Sequence, residues 1–250
     1  MQRYFLEEVY QPNEPFKLSG EAFHHVVRVM RMTPKDQVYL VFKDQVSIRA
    51  EITEIQDNVV YLVEVEKEKG QKELPNAITI ASGYPKGDKL DWIVQKGTEL
   101  GAHAFIGFPA TNSIVKWDRK KREKRQERLQ KIAQEAAEQS HRQMAPQIEL
   151  LETQKSFFDR LSSYDVIVIA YEESAKEGEL ANLAKVFKEL TVGKRVLAVF
   201  GPEGGFTPEE IAVFIEKNGI LCGLGPRILR AETAPLYLLS AASYQWELNH

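Results

Sequence analysis

Short apolar runs alternate with helix-forming stretches through the last two thirds of the chain, and this alternation restricts the fold more than any other feature. Runs of this length are typical of strands that are covered on both faces. The pattern predicts an open α/β sheet, mostly parallel, with helices on both faces and ligand sites at the carboxyl ends of its strands. The predicted strands are 78–82, 104–108, 166–171, 196–200 and 220–224, and the predicted helices are 88–100, 118–141, 180–190, 208–218 and 233–248.

The first 72 residues follow a different pattern. Runs rich in β-branched and aromatic residues at 37–42, 46–55 and 59–65 are separated by polar turns, which predicts a small β-barrel. Apolar residues at spacings of three and four predict a helix over 19–31. The charged segment 66–73 lacks apolar periodicity and precedes Pro75. We therefore expect a domain boundary there, with domains at 1–72 and 73–250.

Two glycine loops, each following a predicted strand, mark the candidate ligand site. The first, 201–205, leaves main-chain amides and carbonyls open to close approach. Thr207 and Glu210 then form a predicted capping box. The second loop, 223–230, carries two arginines and precedes Thr233, the predicted N-cap of the closing helix. Either loop alone is compatible with an ordinary strand-to-helix turn, but two within thirty residues favour a ligand pocket.

The segment from Lys116 to Lys131 has nine basic and three acidic residues, in a chain whose net charge is -3. One interpretation is a solvated helix face softened by ion pairs at i,i+4. The other is an anion-binding patch, and the clustering favours this patch, with nucleic acid as the anion. The same two interpretations, a solvated face or phosphate contacts, apply to the histidines and arginines of segment 24–31.

Several chemistries lack their motifs in this sequence. There is no GxxxxGK(S/T) loop, no GxGxxG after the first strand, no GxSxG elbow and no metal-ligand spacing. The absence of a long apolar run and of a secretory signal predicts a cytoplasmic protein without a membrane span. The single cysteine, Cys222, lies in an apolar run and is expected in the core. A backbone-lined pocket beside basic residues fits a small-molecule cofactor and a nucleic-acid substrate.

The paired loops also carry a family resemblance. Residues 200–206, FGPEGGF, followed by 224–234, LGPRILRAETA, resemble the last two motifs of SPOUT-class RNA methyltransferases. More narrowly, they resemble the family that methylates N3 of a uridine in 16S ribosomal RNA. Segments 85–89, 95–101 and 135–140, and His25 with residues 29–31, stand where that family has similar segments. The chain departs from the family at Lys35-Asp36, where Gly-Asp is usual.

The resemblance implies a trefoil knot at the C-terminal end, a topology that is rare in proteins. It also implies a PUA-like RNA-binding barrel at the N-terminus and a homodimer formed largely through the knotted domain. The implied cofactor is S-adenosylmethionine, and the implied substrate is 16S rRNA in the small ribosomal subunit, the family's target being uridine 1498. Carried over to this sequence, the cofactor pocket comprises Tyr171, Glu172, Gly201, Glu203, Gly204, Gly205, Leu224, Gly225, Ile228, Leu229, Arg230 and Thr233.

Methylation at N3 requires the uridine to lose a weakly acidic proton. We hypothesise that Arg230 stabilises the uridine anion and that Glu232 accepts the proton, with Arg227 as an alternative to Arg230. Both arginines are equally suited to phosphate binding. Two other functions stay open: an rRNA-binding assembly factor without methyl transfer, and a small-molecule enzyme that binds a nucleotide in the pocket. The candidate RNA contacts are Arg3, His25, Arg28, Arg31, Lys86, Lys116, Arg119, Lys120 and Arg122.

Overall fold

The chain folds into two compact units. A computed structural model describes residues 1–12, 14–172 and 181–249. The first unit contains residues 1–73 and 137–145, and the second contains 74–136 and 146–250. The division after residue 73 lies one residue from the boundary expected from the charged segment. Residues 137–145, which the sequence analysis assigned to the second domain, group with the first unit instead.

The first unit is built on a five-stranded half-barrel. Its strand order is β1-β3-β4-β5-β2, and only the β1–β3 pair is parallel. Asp57 and Asn58 both adopt positive φ angles in the turn between β4 and β5, a conformation that Asp and Asn tolerate. The PUA-like barrel is therefore confirmed, although two strands of three residues were missed. The strands are β1 Arg3–Phe5, β2 Phe16–Leu18, β3 Gln37–Val41, β4 Ser47–Gln56 and β5 Val59–Lys67.

A helical segment covers the half-barrel through Val26, which is fully buried. The α-helix α1 spans only Gly20–His24 and continues as a π-helical turn over His25–Val29. In that turn the amide of Met30 donates to the carbonyl oxygen of His25, five residues back, at 2.9 Å. The prediction of one continuous α-helix over 19–31 was wrong in this respect.

Arg3 lies at the centre of a buried polar cluster in the first unit. Its guanidinium is completely buried and forms an ion pair of 2.7 Å with Glu68. Ser47 accepts a hydrogen bond of 3.1 Å from Arg3 and donates one of 2.6 Å to Glu68. The guanidinium also lies 4.8 Å from the ring centroid of Tyr39. The assignment of Arg3 as an RNA contact was wrong, because its charge is enclosed and already neutralised.

The second unit contains a six-stranded sheet in which every neighbouring pair is parallel. Its order is β11-β9-β10-β6-β7-β8. Apolar clusters cover both faces, one including Phe200 and Leu239 and the other including Phe108 and Leu197. The predicted α/β class is confirmed, and Cys222 is fully buried as expected. The strands are β6 Ala77–Gly83, β7 Ala104–Phe108, β8 Gln147–Leu150, β9 Val166–Ala170, β10 Arg195–Phe200 and β11 Ile220–Cys222.

Four of the five predicted helices after residue 73 end within two residues of their predicted bounds, and the closing helix does not. Helix α4 and strand β8 were not predicted. The closing helix, α7, changes to a π-helical turn over Tyr244–Leu248. It follows edge strand β11 yet packs against α2 and central strand β10. Residue Leu180 of one predicted helix lies outside the described residues. The helices are α2 Lys89–Glu99, α3 Arg119–Gln139, α4 Gln154–Phe158, α5 Asn182–Glu189, α6 Pro208–Glu216 and α7 Ala234–Ser243.

Among the described residues, none of the helices combines the length and the apolar character that crossing a bilayer requires.

Replacing Glu68 by Gln should lower the free energy of unfolding by about 3 kcal/mol at neutral pH, because the buried Arg3 loses its carboxylate. Burial raises the pKa of Glu68, but hydrogen bonds from Arg3, Lys72 and Ser47 outweigh it and lower the pKa from 4.5 to about 2. A lowered pKa gives stability that is present above pH 4.5 and is lost as the pH falls towards 2. Urea unfolding at several pH values should therefore show that the free energies of unfolding of the wild type and the Glu68→Gln variant become equal as the pH falls through this range.

Glu66→Gln is the matched control, because this carboxylate, two residues before Glu68, is 59% exposed where it pairs with Arg49. Its effect should stay below about 1 kcal/mol. The role of the buried pair would be contradicted if both variants lowered the free energy of unfolding equally, or if the effect of Glu68→Gln on it did not change with pH.

Candidate functional site

The carboxyl ends of four neighbouring strands, β11, β9, β10 and β6, meet at one edge of the parallel sheet. Residues 171–172 follow β9, the first glycine loop follows β10 and the second follows β11. Residues 84–88, which include Lys86, follow β6 and precede α2. Parallel pairing thus brings together segments that are distant in sequence, at the edge where open α/β sheets bind ligands.

A cleft of about 100 Å³ opens at this edge between the ends of β9 and β11 and the start of α7. Its wall is largely apolar, and the exposed Arg227 lies at it. Gly225 adopts a φ of +88°, so a side chain at this position in the wall would strain the backbone. Six predicted cofactor residues line the cleft: Tyr171, Glu172, Leu224, Gly225, Ile228 and Leu229.

The first glycine loop lies outside this cleft, and it is closely packed at Gly201 and Gly204. A Cβ added at Gly204 would lie 2.9 Å from the Cβ of Asn112, and one at Gly201 would lie 3.2 Å from the Cα of Gly205. Asn112 holds the loop through its side-chain amide, which donates to the carbonyl oxygens of Gly204 and Gly205 at 2.9 and 3.2 Å. The loop therefore presents main chain at a fixed place.

Glu210 fixes the segment that carries Asn112. The predicted capping box is confirmed, since Thr207 and Glu210 exchange backbone-to-side-chain hydrogen bonds at the start of α6. The second carboxylate oxygen of Glu210 accepts a hydrogen bond of 2.9 Å from the amide of Thr111 and another from Gln154. Because Glu210 is only 3% exposed, this junction between two loops is shielded from water.

Lys89, the first residue of α2, contacts the first glycine loop and Glu232, which lies two residues after the second loop. Its Nζ lies 2.8 Å from Glu203 Oε1 in the first loop and 3.4 Å from Glu232 Oε2 after the second. The amide of Lys86 donates to the same oxygen of Glu203 at 3.1 Å. Burial raises the pKa of Glu203, but hydrogen bonds from Lys89 and from backbone amides outweigh it and lower the pKa. The hydrogen bond to Glu203 raises the pKa of Lys89, so both groups are charged at neutral pH.

The predicted catalytic residues lie beside the cleft without lining it. Arg230 is exposed, and its carbonyl oxygen accepts hydrogen bonds from the amides of Thr233 and Ala234. Glu232 is partly buried, and among the described residues its Oε2 has no hydrogen-bond donor. Thr233 precedes α7 but has helical backbone angles and makes no capping hydrogen bond, so its predicted cap was wrong. Of the two arginines considered, Arg227 alone reaches the cleft wall.

The predicted RNA contacts in the first unit have different surroundings. Arg28 and Arg31 are exposed near the end of the helical segment. His25 is half-buried, and its Nδ1 lies 2.9 Å from the hydroxyl of Tyr4. The arginines are therefore more accessible to a phosphate than the histidine is.

The basic segment of the second unit divides into free-standing and ion-paired cations. Lys116, Arg119 and Lys120 are exposed, although Arg119 pairs with Glu123 at 2.8 Å. Arg122 is 12% exposed and pairs with Glu152 at 2.9 Å. Further along α3, two more arginines of this segment pair with Asp91 of α2. Ion pairing thus accounts for part of the charge, and the exposed cations gather at the start of α3.

Sequence reasoning missed Lys89, Asn112 and the second role of Glu210. Lys89 lies in a segment that the family resemblance includes, but its contacts join residues more than a hundred positions apart. Asn112 belongs to an irregular loop without a motif. The capping box identified Glu210, whereas its bond to Thr111 depends on tertiary packing. No group of three or more metal-ligating side chains occurs among the described residues.

Comparison with known proteins defines the class of this one. Residues 72–243 match the model of an RNA methyltransferase domain, and residues 18–69 match the model of an RNA methyltransferase PUA domain. The chain is 48% identical over 251 aligned residues to the ribosomal RNA small subunit methyltransferase E of Bacillus subtilis (strain 168), covering 99% of this chain and 98% of that protein. It thus belongs to the ribosomal RNA small subunit methyltransferase E family of RNA methyltransferases.

Two solved structures are similar along nearly the whole chain. The small subunit methyltransferase E of Neisseria gonorrhoeae, bound to S-adenosylmethionine, is 25% identical with a TM-score of 0.81 and covers 98% of both chains. A methyltransferase of Legionella pneumophila in complex with the same cofactor is 26% identical with a TM-score of 0.77 and covers 96% of both chains.

Replacing Glu210 by Ala should lower the free energy of unfolding by about 2 kcal/mol, because it removes the capping box and leaves the amides of Thr111 and Thr207 without their acceptor in partly buried hydrogen bonds. Hydrogen exchange at the amides of Thr111 and Thr207 should become faster than in the wild type. Glu209→Ala removes the adjacent carboxylate, which is exposed in the same first turn, and should have a clearly smaller effect on both quantities. Similar effects of the two substitutions would show that the junction between the loops does not depend on Glu210.

Proposed function

We propose that this protein transfers a methyl group from S-adenosylmethionine to N3 of a specific uridine in 16S rRNA, the position known as uridine 1498 in its family. The observation that carries the proposal is the apolar cleft beside two glycine loops at the carboxyl edge of the sheet. The family membership and the relatives bound to the same cofactor support it. The RNA substrate would be recognised in the small ribosomal subunit.

The residues at this edge suit the cofactor. The cleft is smaller than the roughly 300–1,000 Å³ of most small-molecule pockets, so the ligand would extend past it along exposed main chain. Apolar side chains of Leu224, Ile228 and Leu229 offer a surface for the adenine ring, while the first loop offers amides and carbonyls. When bound, S-adenosylmethionine supplies an electrophilic methyl group on a sulfonium.

Residues of the chain must then handle the proton and the charge of the target base. Glu232 is the proposed acceptor of the N3 proton, because its carboxylate follows the second loop beside the cleft and its ion pair with Lys89 has the longer distance of 3.4 Å. An arginine beside the base would stabilise the uridine anion, a charge that exists only after deprotonation. Arg230 remains the proposed residue, and Arg227 is the alternative because it lines the cleft.

RNA binding is proposed for exposed basic residues of both units. Arg28 and Arg31 belong to the first unit, and Lys86 together with the start of α3 belongs to the second. The buried Arg3 is excluded from this set. Phosphate contacts of this kind provide affinity without reading base sequence.

A homodimer is also part of the proposal. Trp92 on α2 is 58% exposed, and Tyr244 and Leu248 after α7 are 61% and 73% exposed. Since α2 and α7 pack against each other, these side chains give the second unit an exposed apolar surface suited to a second copy. Light scattering should give twice the monomer mass of 28.5 kDa.

The purified protein, incubated with S-adenosylmethionine and small subunits from a strain that lacks it, should produce 3-methyluridine measurable by nucleoside mass spectrometry. Glu232→Gln should lower kcat by about 100-fold, the size typical of losing a general base. Arg230→Ala and Arg227→Ala should separate the two arginines, because only the one beside the base affects kcat.

Cofactor and RNA binding without any methylated product would instead identify an assembly factor that retains the pocket. Full turnover by the Glu232→Gln variant would remove this carboxylate from proton transfer.

Charge reversal of Arg119 and Lys120 should weaken RNA binding and lower the slope of log K against log salt concentration by about two, roughly one for each lost phosphate contact. Filter binding at several salt concentrations measures both. Lys185→Glu with Lys188→Glu makes the same change in net charge at exposed positions of α5 and should leave the slope unchanged. An unaltered slope in the α3 variant would argue against phosphate contacts there.

A further inference from the structure

The sheet fixes the strand ends from which the two glycine loops start, but it does not pair the loops with each other. The first loop follows β10 and the second follows β11, and β9 lies between these two strands. Backbone hydrogen bonds therefore join β10 to β9 and β11 to β9, but they do not join β10 to β11. Any direct tie between the loops has to come from side chains.

Lys89 provides such a tie. Its ammonium lies 2.8 Å from the carboxylate of Glu203 and 3.4 Å from that of Glu232, so one nitrogen connects the two loops. The first contact is a hydrogen-bonded ion pair, and the second is a longer ion pair. All three side chains are between 25% and 29% exposed, and partial removal from water strengthens the attraction.

The two carboxylates depend on this cation to different degrees. Glu203 also accepts a hydrogen bond from the amide of Lys86. Glu232 Oε2 is buried and accepts no hydrogen bond within the described part of the chain, so Lys89 is the group that compensates its charge. Without the ammonium, two nearby carboxylates would repel each other, and one of them would be partly buried without compensation.

We propose that Lys89 is a positioning residue that fixes the spacing between the two glycine loops and thereby the affinity of the site for its methyl donor. The inference rests on the proposed function, because it assumes that both loops hold the cofactor. The raised pKa of Lys89 and the lowered pKa of Glu203 keep this tie charged over the whole neutral range. Lys89 acts through the loops and not by touching the reacting atoms.

Isothermal titration calorimetry with S-adenosylmethionine tests this role on the full chain. Lys89→Met should raise the dissociation constant about tenfold, whereas Lys89→Arg, which keeps the charge, should stay within about threefold of the wild type. Lys96→Met is the matched control, because this lysine of the same helix pairs with Glu99 at 2.8 Å, and it should bind as the wild type does. Thermal unfolding of each variant checks that it is folded.

A double-mutant cycle with Glu203→Gln separates positioning from direct contact with the ligand. If Lys89 acts by joining the loops, removing Glu203 already breaks the tie, and the double variant should bind about as well as Lys89→Met alone. If Lys89 touches the cofactor, the two effects should multiply. Glu203→Gln by itself should weaken binding several-fold, so the inference stays testable even if Lys89→Met does not fold.

The outcomes distinguish this inference from the proposed function. A wild-type protein that does not bind S-adenosylmethionine would overturn the proposed function. Binding by the wild type together with unchanged binding by folded Lys89→Met, or multiplicative effects in the cycle, would overturn the positioning role and leave the proposed function standing.

Discussion

Parallel pairing of the central strands is the constraint on which the site depends. The β9–β10 and β10–β6 ladders run in register over five and six residues, which places the ends of three strands at one level. Each strand is apolar enough to be covered on both faces, so polar chemistry is confined to the loops at its ends. The apolar cleft, the glycine loops and the start of α2 all lie where these ladders end.

Beyond that edge, the loops are connected by side-chain contacts, because the backbone hydrogen bonds of the sheet end there. Asn112 holds the carbonyl oxygens of the first loop, Glu210 anchors the segment that carries Asn112, and Lys89 joins the first loop to the second. Each of these groups connects segments that are distant in sequence. The glycines complete the arrangement, because a Cβ at Gly204 would meet Asn112. A few polar contacts therefore hold loops in which added side chains would not fit.

Local sequence patterns predicted the helices and strands better than they predicted which charged side chains are buried or ion-paired. The apolar runs and the capping box at Thr207 depend on neighbours in sequence, and both were correct. The burial of Arg3 depends on Glu68, and the pairing of Arg122 depends on Glu152, so neither could be read from the adjacent residues. Strands β1 and β2, with three residues each, are too short to show alternation. Lys89 was missed for the same reason as Arg3, since its partners are set by the tertiary fold.

The parallel sheet ends on short strands at both sides. Edge strand β11 has three residues and edge strand β8 has four. An edge this short presents few unpaired N–H and C=O groups on which another chain might add a strand. The sheet is therefore poorly suited to growth by strand addition, which protects a largely apolar parallel sheet from aggregating through its edges.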